Sequence, residues 1–426
     1  MEARQYDVAI IGAGPAGLAA AISARRSGAS DVVIIERDFR PGGILEQCIH
    51  PGFGLKYFEE ELSGPEYAAR FIDICNELGV QLMLNTMVLS IDPEEHVIHG
   101  ASREGAVSVK AGAIILAMGC RERTRAQIQI PGTRPAGVYT AGTAQRFCNV
   151  QNHIVGNEIV IIGSGDIGMI MARRMTLEGA RVKAVVEVMP YLAGLTRNKV
   201  QCLDDFGIPL YLGHTVVNID GKLRVNKVTV AKVDEQRRPV PGTEFDIECD
   251  TVLLSVGLIP ENEVSKTAGV KLDPITRGPV VDNTMMTSVD GIFACGNVVH
   301  VNDLADNVSV ESELAGFWAA KYATGSVKEG GEDIPVSAGE NVRYVVPQHI
   351  CSAGEDEQVK LYFRVGAPDR KVRIQAAIGD KVVYGANKLY VNPGEMEEIR
   401  IDASAIGDGG GKPLVVSVLS REEEQA

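Results

Sequence analysis

The alternation of apolar and polar positions divides the chain into two α/β segments and a β-rich segment. Residues 7–11 predict a strand, the alanine-rich stretch ending near residue 27 predicts a helix, and "DVVIIE" predicts a second strand ending on Glu36. The same order of strand, glycine turn, helix and strand returns at 158–187. Apolar runs that close on glycine predict further buried strands at 113–119, 251–257 and 287–298.

Two other stretches have clear periodicity. Between 59 and 80 apolar residues recur at helical spacing, namely Tyr67, Phe71, Ile74 and Leu78. Pro65 suits the first helical turn, and Cys75 on this helix is expected in the core. From about residue 333 short strand-like runs alternate with turn residues, which predicts an all-β sandwich of fewer than 100 residues. We interpret "EGGED" at 329–333 as a linker and "REEEQA" as a solvated tail.

Both glycine turns have the spacing G-x-G-x-x-G. The glycines are Gly12, Gly14 and Gly17 in the first segment, and Gly163, Gly165 and Gly168 in the second. In this motif the first glycine allows a tight turn, the second lets phosphate approach the backbone, and the third lets helix pack on strand. The helix N-terminus then offers N–H groups and a positive dipole end to a pyrophosphate. Two such turns predict two bound dinucleotides.

An acid follows each motif at the distance expected for a ribose contact. Glu36 and Glu187 each lie 24 residues past the first glycine of their motif. A carboxylate at Glu187 bonds a free 2′-hydroxyl and repels a 2′-phosphate, which favours NADH over NADPH. Arg181 and Arg197 lie close to Glu187 in sequence, and their positive charges would instead favour NADPH. The alternative for the second motif is a retained fold that no longer binds nucleotide.

Composition narrows the class of protein. The 426 residues carry a formal net charge of −14, which disfavours a nucleic-acid binder. No apolar run reaches about 18 residues, so no membrane span is expected, and the N-terminus lacks the features of a signal peptide. The eight cysteines form no C-x-x-C pair, which argues against structural zinc and against a local dithiol. We therefore expect a cytoplasmic protein with free thiols and no metal site.

As an ordered set, the motifs resemble the two-dinucleotide flavoprotein oxidoreductases, in which the NAD domain interrupts the FAD domain. The resemblance covers about residues 5–325 through the two fingerprints, "ILAMG", "LLSVG" and "GIFACGN". It implies an α/β fold with two Rossmann-like domains of the thioredoxin-reductase-like type, plus the C-terminal all-β sandwich. The expected domains are FAD-binding at 1–145 and 276–328, NAD-binding at 146–275, and the sandwich at 333–420.

The resemblance also implies the cofactors, FAD and NAD(H), and the residues that contact them. The expected FAD contacts are Gly12, Gly14, Pro15, Ala16, Gly17, Glu36, Arg37, Gly42, Gly43, Gln47, Val88, Ala117, Gly119, Gly296, Asn297, Ser309 and Val310. The expected NAD(H) contacts are Gly163, Gly165, Asp166, Ile167 and Glu187. Asn297 stands where the family usually has aspartate, and asparagine still bonds a ribityl hydroxyl. The dithiol pair of the disulfide reductases is absent, so disulfide reduction is not expected.

A narrower resemblance concerns protein partners. The stretches "GGILEQCIHPGFGL", "AMGCRERTR", "PAGVYTAGTAQ" and "FACGNVVHVNDLADNVSVESELAG" look like the flavoprotein that accompanies bacterial anaerobic-type, or type II, glycerol-3-phosphate dehydrogenases and oxidases. They resemble more loosely the alpha subunits of heterotetrameric sarcosine oxidase and of hydrogen cyanide synthase. This implies a hetero-oligomer with an FAD-dependent glycerol-3-phosphate dehydrogenase or oxidase-like subunit, with a small third subunit as an open alternative.

The glycine-bounded segment at 42–54 holds a thiol and an imidazole two positions apart, Cys48 and His50. By the superfamily resemblance this segment runs beneath the flavin toward its ring. In extended backbone the two side chains share a face, and a nearby imidazolium would lower the thiol pKa and yield thiolate. That thiolate would attack peroxide and become sulfenic acid, with a proton from His50. The alternative is a packed cysteine beside a hydrogen-bonded structural histidine.

Two further groups are candidates. Cys120 follows the "AMG" turn, and Arg121 and Arg123 would favour its thiolate, so it is a second redox candidate. The acids of the run 300–313 superficially resemble a metal loop, but their spacing fits no calcium site. We expect instead a loop leading into a helix N-terminus, with backbone groups of Ser309 and Val310 facing flavin.

Three functions remain open. The first is an FAD enzyme that takes hydride from NADH and reduces peroxide or oxygen with help from Cys48. The second runs the other way, accepting electrons from a substrate-oxidising partner and reducing NAD. The third is an assembly subunit whose NAD site is vacant.

Overall fold

The computed structural model describes residues 4–326, 333–351, 358–407 and 409–421. The strands are β1 (Arg4–Ile11), β2 (Val32–Ile35), β3 (Pro51–Phe53), β4 (Leu62–Ser63), β5 (Gln81–Met83), β6 (Thr86–Asp92), β7 (Val97–Ser102), β8 (Gly105–Leu116), β9 (Cys120–Glu122), β10 (Val138–Thr140), β11 (Glu158–Ile162), β12 (Arg181–Glu187), β13 (Leu210–Leu212), β14 (His214–Gly221), β15 (Val225–Lys232), β16 (Phe245–Glu248), β17 (Thr251–Leu254), β18 (Leu258–Pro260), β19 (Ile292–Ala294), β20 (Ile334–Ala338), β21 (Val342–Val346), β22 (His349–Ile350), β23 (Gln358–Val365), β24 (Asp369–Ile378), β25 (Lys381–Val391), β26 (Glu397–Asp402) and β27 (Leu414–Ser420). The α-helices are α1 (Pro15–Arg26), α2 (Gly64–Glu77), α3 (Arg125–Ile128), α4 (Ala141–Asn149), α5 (Asp166–Leu177), α6 (Thr196–Cys202), α7 (Glu263–Thr267), α8 (Ala305–Ala323) and α9 (Ala403–Ile406).

The chain separates into two units, Met1–Cys120 with Pro260–Ala426, and Arg121–Ile259. In the first unit the main sheet runs β5-β2-β1-β8-β7-β6, and β19 also pairs with β8. β1 is parallel to β2 and to β8, and all four residues of β2 are buried. A strand covered on both faces needs such a continuous apolar run, which is the pattern that predicted it.

Small residues bring two helices of the first unit close together. Half of α1 is buried alanine and glycine, and α8 carries Gly316 where it meets α1. A Cβ added at Gly316 would lie 2.1 Å from the carbonyl oxygen of Ala20. The backbones of α1 and α8 therefore touch, which no larger side chain at this position would permit.

Helix α2 forms where the periodicity predicted it. Ser63 and Glu66 cap its N-terminus reciprocally, and Pro65 occupies the first turn. Tyr67, Phe71 and Cys75 are fully buried in the core of the first unit.

The second unit has a parallel sheet, β10-β17-β11-β12-β13, and an antiparallel sheet, β14-β15-β16. It starts and ends earlier than the segment 146–275 expected from the sequence. It starts earlier because β10 pairs with β17 in this sheet and Ala141 and Ala144 of α4 are buried in the same core as α5. It ends earlier because Ala268 and Val270 are buried in the core of the first unit.

The C-terminal segment is a β-sandwich, as predicted. One sheet runs β22-β20-β27-β24-β25 and the other β21-β23-β26. Side chains of both sheets share one core, with Leu361 and Phe363 from the second sheet and Val372 and Leu414 from the first fully buried. Of the expected linker and tail, residues 329–332 and 422–426 lie outside the described residues. Across the described ranges, no helix combines the length and apolarity needed to cross a lipid bilayer.

The contact between α1 and α8 predicts a stability effect. Gly316→Ala should lower the free energy of unfolding by roughly 1–3 kcal/mol, because the added methyl group must push two backbones apart. Denaturant unfolding of the full chain measures it. Gly366→Ala is the control, since its Cβ would meet only Asn341 Oδ1, at 3.4 Å. Equal losses in the two variants would contradict the proposed close contact.

Candidate functional site

The first glycine turn joins β1 to α1 and leaves open space in front of the helix. Gly12 has φ of +106°, and a Cβ there would lie 2.5 Å from Ala117 O. A Cβ at Gly17 would lie 1.8 Å from Gly12 O, whereas a Cβ at Gly14 would meet nothing within 4 Å. Gly14 is the N-cap of α1 and Pro15 occupies its first turn. The turn is therefore closed at Gly12 and Gly17 and open at Gly14, which fits a pyrophosphate at the helix N-terminus.

The acid at the end of β2 holds this turn in place. Glu36 is buried, and its Oε2 accepts the Ala13 N–H at 2.7 Å while its Oε1 accepts the Asp38 N–H at 2.7 Å. Each carboxylate oxygen can accept two hydrogen bonds, so capacity for ribose hydroxyls remains.

The segment after Glu36 crosses the glycine turn. The Gly42 N–H donates to Ala13 O at 2.8 Å, and a Cβ at Gly43 would lie 2.9 Å from Gly14 Cα. The structure thus brings Gly14, Glu36 and Gly43 together around one cradle.

Seven of the other residues expected at FAD lie in four places. Ala16 and Gly296 touch, since a Cβ at Gly296 would lie 2.8 Å from Ala16 Cβ. Gln47 is buried at the end of the short 3₁₀ helix Gly43–Gln47, and Arg37 is exposed. The remaining three lie on or beside the sheet: Val88 in β6, and Ala117 and Gly119 after β8.

The second glycine turn repeats the close approaches of the first at its first and third glycines. A Cβ at Gly163 would lie 2.0 Å from Ser255 O, and one at Gly168 would lie 2.8 Å from Gly163 O. The buried Glu187 accepts the Ser164 N–H at 2.8 Å and the Met189 N–H at 2.9 Å. Glu187 therefore contacts its turn as Glu36 contacts the first.

Asp166 and Ile167 begin α5 beside a crossing segment. Asp166 Oδ1 accepts the Leu195 N–H at 2.9 Å and the Asn198 side-chain amide at 2.7 Å. A Cβ at Gly194 would lie 2.8 Å from Asp166 N, so this glycine allows the approach. Sequence reasoning missed Gly194. The available signal was spacing, because Gly43 and Gly194 each lie seven residues past the acid of their motif.

A cavity of about 390 Å³ lies in the second unit, lined in part by Arg125, Arg134, Tyr139, Thr140 and Leu254. Thr140 and Leu254 end the parallel strands β10 and β17. Ligands of such sheets bind at the carboxyl ends of the strands, so the cavity is placed for part of a dinucleotide.

The cysteine turn differs from expectation in two ways. Cys48 ends the 3₁₀ helix with φ −91° and ψ 71°, so the strand alternation that would align its side chain with His50 is not formed there. Burial raises the pKa of the Cys48 thiol to about 12, whereas the pattern of Cys48 and His50 predicted a lowered pKa. Its carbonyl oxygen accepts the Gly64 N–H at 2.8 Å, which fixes the turn against α2. The His50 ring lies 5.2 Å from that of Phe53.

Two acids of α8 hold the segment that follows this turn. Asp306 accepts the backbone N–H groups of Gly54, Lys56 and Tyr57 at 3.2, 3.3 and 2.9 Å. The Tyr57 hydroxyl donates to Glu313. Sequence reasoning missed this role, although the seven-residue spacing of the two acids places them on one helical face.

The expected roles of Ser309 and Val310 need correction. Helix α8 begins at Ala305, so both residues lie in its second turn rather than in a loop. Their backbone N–H groups belong to the helical hydrogen-bond ladder and are not offered to a ligand. The Ser309 hydroxyl instead lies 2.8 Å from that of Tyr67.

Cys120 lies beside the residue expected at the ribityl chain. The Asn297 side-chain amide donates to Cys120 Sγ at 3.8 Å, and its Oδ1 accepts the Asn302 N–H at 2.9 Å. The cysteines at 75, 148, 202, 249 and 295 are buried and pack in the cores.

Comparisons with known proteins identify the class. The sequence profile of the pyridine nucleotide-disulphide oxidoreductases matches residues 6–362, and the chain belongs to that family. It is an FAD- and NAD(P)-dependent oxidoreductase with the expected thioredoxin-reductase-like α/β fold.

Individual relatives are distant. The thioredoxin reductase of Bacillus subtilis is 27% identical over 305 residues, which is 70% of this chain and 88% of that protein. Hydrogen cyanide synthase subunit HcnB of Pseudomonas aeruginosa is 29% identical over 287 residues, 62% of this chain and 59% of that protein. The crystal structure of thioredoxin reductase from T. acidophilum superposes with a TM-score of 0.62 at 27% identity, covering 76% of this chain and 100% of that one.

The second glycine of each motif predicts a pair of variants; a Cβ at Gly14 meets nothing within 4 Å, whereas one at Gly165 would lie 3.3 Å from Ser255 Oγ. Gly14→Ala should leave the stability of the FAD-free protein within about 0.5 kcal/mol and weaken FAD binding about tenfold, because its methyl group enters the cradle. Gly165→Ala should retain FAD and raise the KM for NADH. Fluorescence titration with FAD and steady-state kinetics measure the two effects. Unchanged FAD affinity in Gly14→Ala would place the pyrophosphate elsewhere.

The raised pKa of Cys48 predicts its reactivity. A thiol with a pKa near 12 stays protonated at neutral pH, so alkylation of Cys48 in FAD-free protein should accelerate about tenfold per pH unit up to about pH 10. Mass spectrometry of the Cys48 peptide after timed iodoacetamide treatment measures the rate. A plateau reached by about pH 8 would show a stabilised thiolate instead.

Proposed function

We propose that the chain is the NADH-oxidising subunit of a complex with a glycerol-3-phosphate-oxidising flavoprotein, and that it passes electrons through FAD to peroxide or oxygen. The carrying observation is the repeated cradle, in which Glu36 and Glu187 bind the backbone of two separate glycine turns. Two cradles held by the same carboxylate bond suit two bound dinucleotides.

The residues that would hold FAD are those around the first cradle, with Asn297 at the ribityl chain. Bound there, FAD supplies a group that accepts a hydride and releases electrons singly or in pairs. The chain itself orients the cofactor through the backbone of Gly14 and Gly43, whose side-chain-free surfaces allow close approach.

The second cradle favours NADH over NADPH. Glu187 ends β12 and presents a carboxylate where a 2′-phosphate would be repelled. Arg181 is the first residue of the same strand, about 20 Å away by strand geometry, so it does not serve that position.

The peroxide step would use Cys48 and His50. Because the thiol is protonated, His50 first takes the Sγ proton. Sγ then attacks one peroxide oxygen, the O–O bond breaks, and the leaving hydroxide receives that proton to give water and a sulfenic acid. Two electrons from NADH and two protons return the sulfenic acid to the thiol with a second water.

The choice of partner rests on a resemblance in sequence. The segments around Cys48 and α8 resemble the flavoproteins that accompany type II glycerol-3-phosphate dehydrogenases and oxidases. It is supported by HcnB, a relative that is named as a subunit.

A second candidate function is electron flow from that partner to NAD⁺. The protonated state of Cys48 favours it, because a neutral thiol is a poor nucleophile and the reverse flow needs no thiol.

Anaerobic rapid mixing separates the two directions. NADH should bleach the visible absorbance of the flavin, and peroxide should restore it. Cys48→Ser should slow the restoration at least about 100-fold while bleaching stays unchanged, and Cys351→Ser, in the sandwich, is the matched control.

Restoration at the wild-type rate in Cys48→Ser would remove the thiol from the reaction. Reduction of NAD⁺ on adding the partner and glycerol-3-phosphate would establish the second candidate. Flavin that NADH fails to bleach would contradict both.

A further inference from the structure

A loop of the first unit connects the predicted ribityl contacts to helix α8. It follows the short 3₁₀ helix Gly296–Val298 and runs to Leu304, the N-cap of α8. The loop residues at 300–303 meet the C-terminal sandwich, whose role the nucleotide sites leave unexplained.

Arg364 of β23 ties the loop to the sandwich. It is 14% exposed, its Nη2 donates to Val301 O at 3.1 Å, and it forms an ion pair with Asp303. Its Nη1 donates to Pro393 O at 3.1 Å within the sandwich. The other carboxylate oxygen of Asp303 accepts the Met396 N–H at 2.7 Å. One forked cation thus fixes the loop at Val301 and at Asp303.

The fixed loop in turn orients Asn297. The Asn302 N–H, one residue before Asp303, donates to Asn297 Oδ1 at 2.9 Å. This bond fixes the orientation of the Asn297 amide, because Oδ1 must face Asn302. The Nδ2 end then faces Cys120 Sγ. Moving Asp303 would move Asn302 and release the amide.

A second route leads from the sandwich to the Gly296 backbone. His300 is buried and its ring lies 6.2 Å from that of Tyr344 and 5.8 Å from that of Tyr362. His300 Nε2 lies 2.6 Å from Glu311 Oε2, and Glu311 Oε1 accepts the Gly296 N–H at 2.7 Å. Gly296 has φ of +70°, a turn conformation that this bond helps to hold.

We propose that Arg364 is a positioning residue for the flavin site, and that the sandwich sets the geometry of Asn297 through it, while the Gly296 backbone is held by the separate route through His300 and Glu311. The inference rests on the proposed FAD site. Other ion pairs of the sandwich lie within it, such as Lys388–Glu397 and Arg400–Glu398, whereas the Arg364 pair joins it to the loop.

The test compares Arg364→Ala and Asp303→Asn with Arg400→Ala as the matched control. Asp303→Asn keeps the side-chain shape and the Arg364 bonds to Val301 and Pro393, so it remains informative if Arg364→Ala folds poorly. The full chain is titrated with FAD, and the visible circular dichroism of bound flavin is recorded. Arg364→Ala and Asp303→Asn should each bind FAD about tenfold more weakly, with an altered flavin dichroism. Arg400→Ala should match wild type.

A purely structural role gives a different pattern. It would lower the unfolding temperature of FAD-free Arg364→Ala but leave FAD affinity and flavin dichroism unchanged in Arg364→Ala and Asp303→Asn. That result would overturn this inference and leave the proposed function standing. Wild-type chain that binds no FAD would overturn the proposed function and this inference together.

Discussion

The structure depends on a buried carboxylate that accepts the backbone N–H of the residue between the first two glycines of a turn. Glu36 does this for Ala13 and Glu187 for Ser164. A buried carboxylate is costly unless it is hydrogen-bonded, so each acid ties the end of one strand to the turn that follows another. That bond fixes where the helix N-terminus points, and with it the place where a pyrophosphate can lie.

Helix α8 extends this constraint to the rest of the first unit. Its Asp306 and Glu313 hold the segment at 54–57, its Glu311 holds Gly296 and His300, and its Gly316 lies against α1. One helix thereby positions the cysteine turn, the expected ribityl contact and the first fingerprint helix. The sandwich completes the arrangement through Arg364, which gives the C-terminal segment a reason to belong to the oxidoreductase.

The sequence was sufficient to predict those features of the fold whose physical cause is local. Glycine spacing, apolar runs and capping residues depend on near neighbours, so the two fingerprint turns, α2 and the sandwich strands were predictable. The pKa of Cys48 was not, because it depends on how the folded chain buries the side chain, which the local pattern does not show. The start of α8 at Ala305 was missed for a similar reason, since its first-turn acid bonds a segment about 250 residues earlier. The extent of the second unit depends on the pairing of β10 with β17, which local patterns do not encode.

The central claim is that the two cradles bind two different dinucleotides. Native mass spectrometry of the chain with FAD and NADH tests it most directly. The account predicts one retained FAD per chain and one further NADH added without loss of FAD. A chain that carries no FAD, or from which NADH displaces FAD, would contradict it.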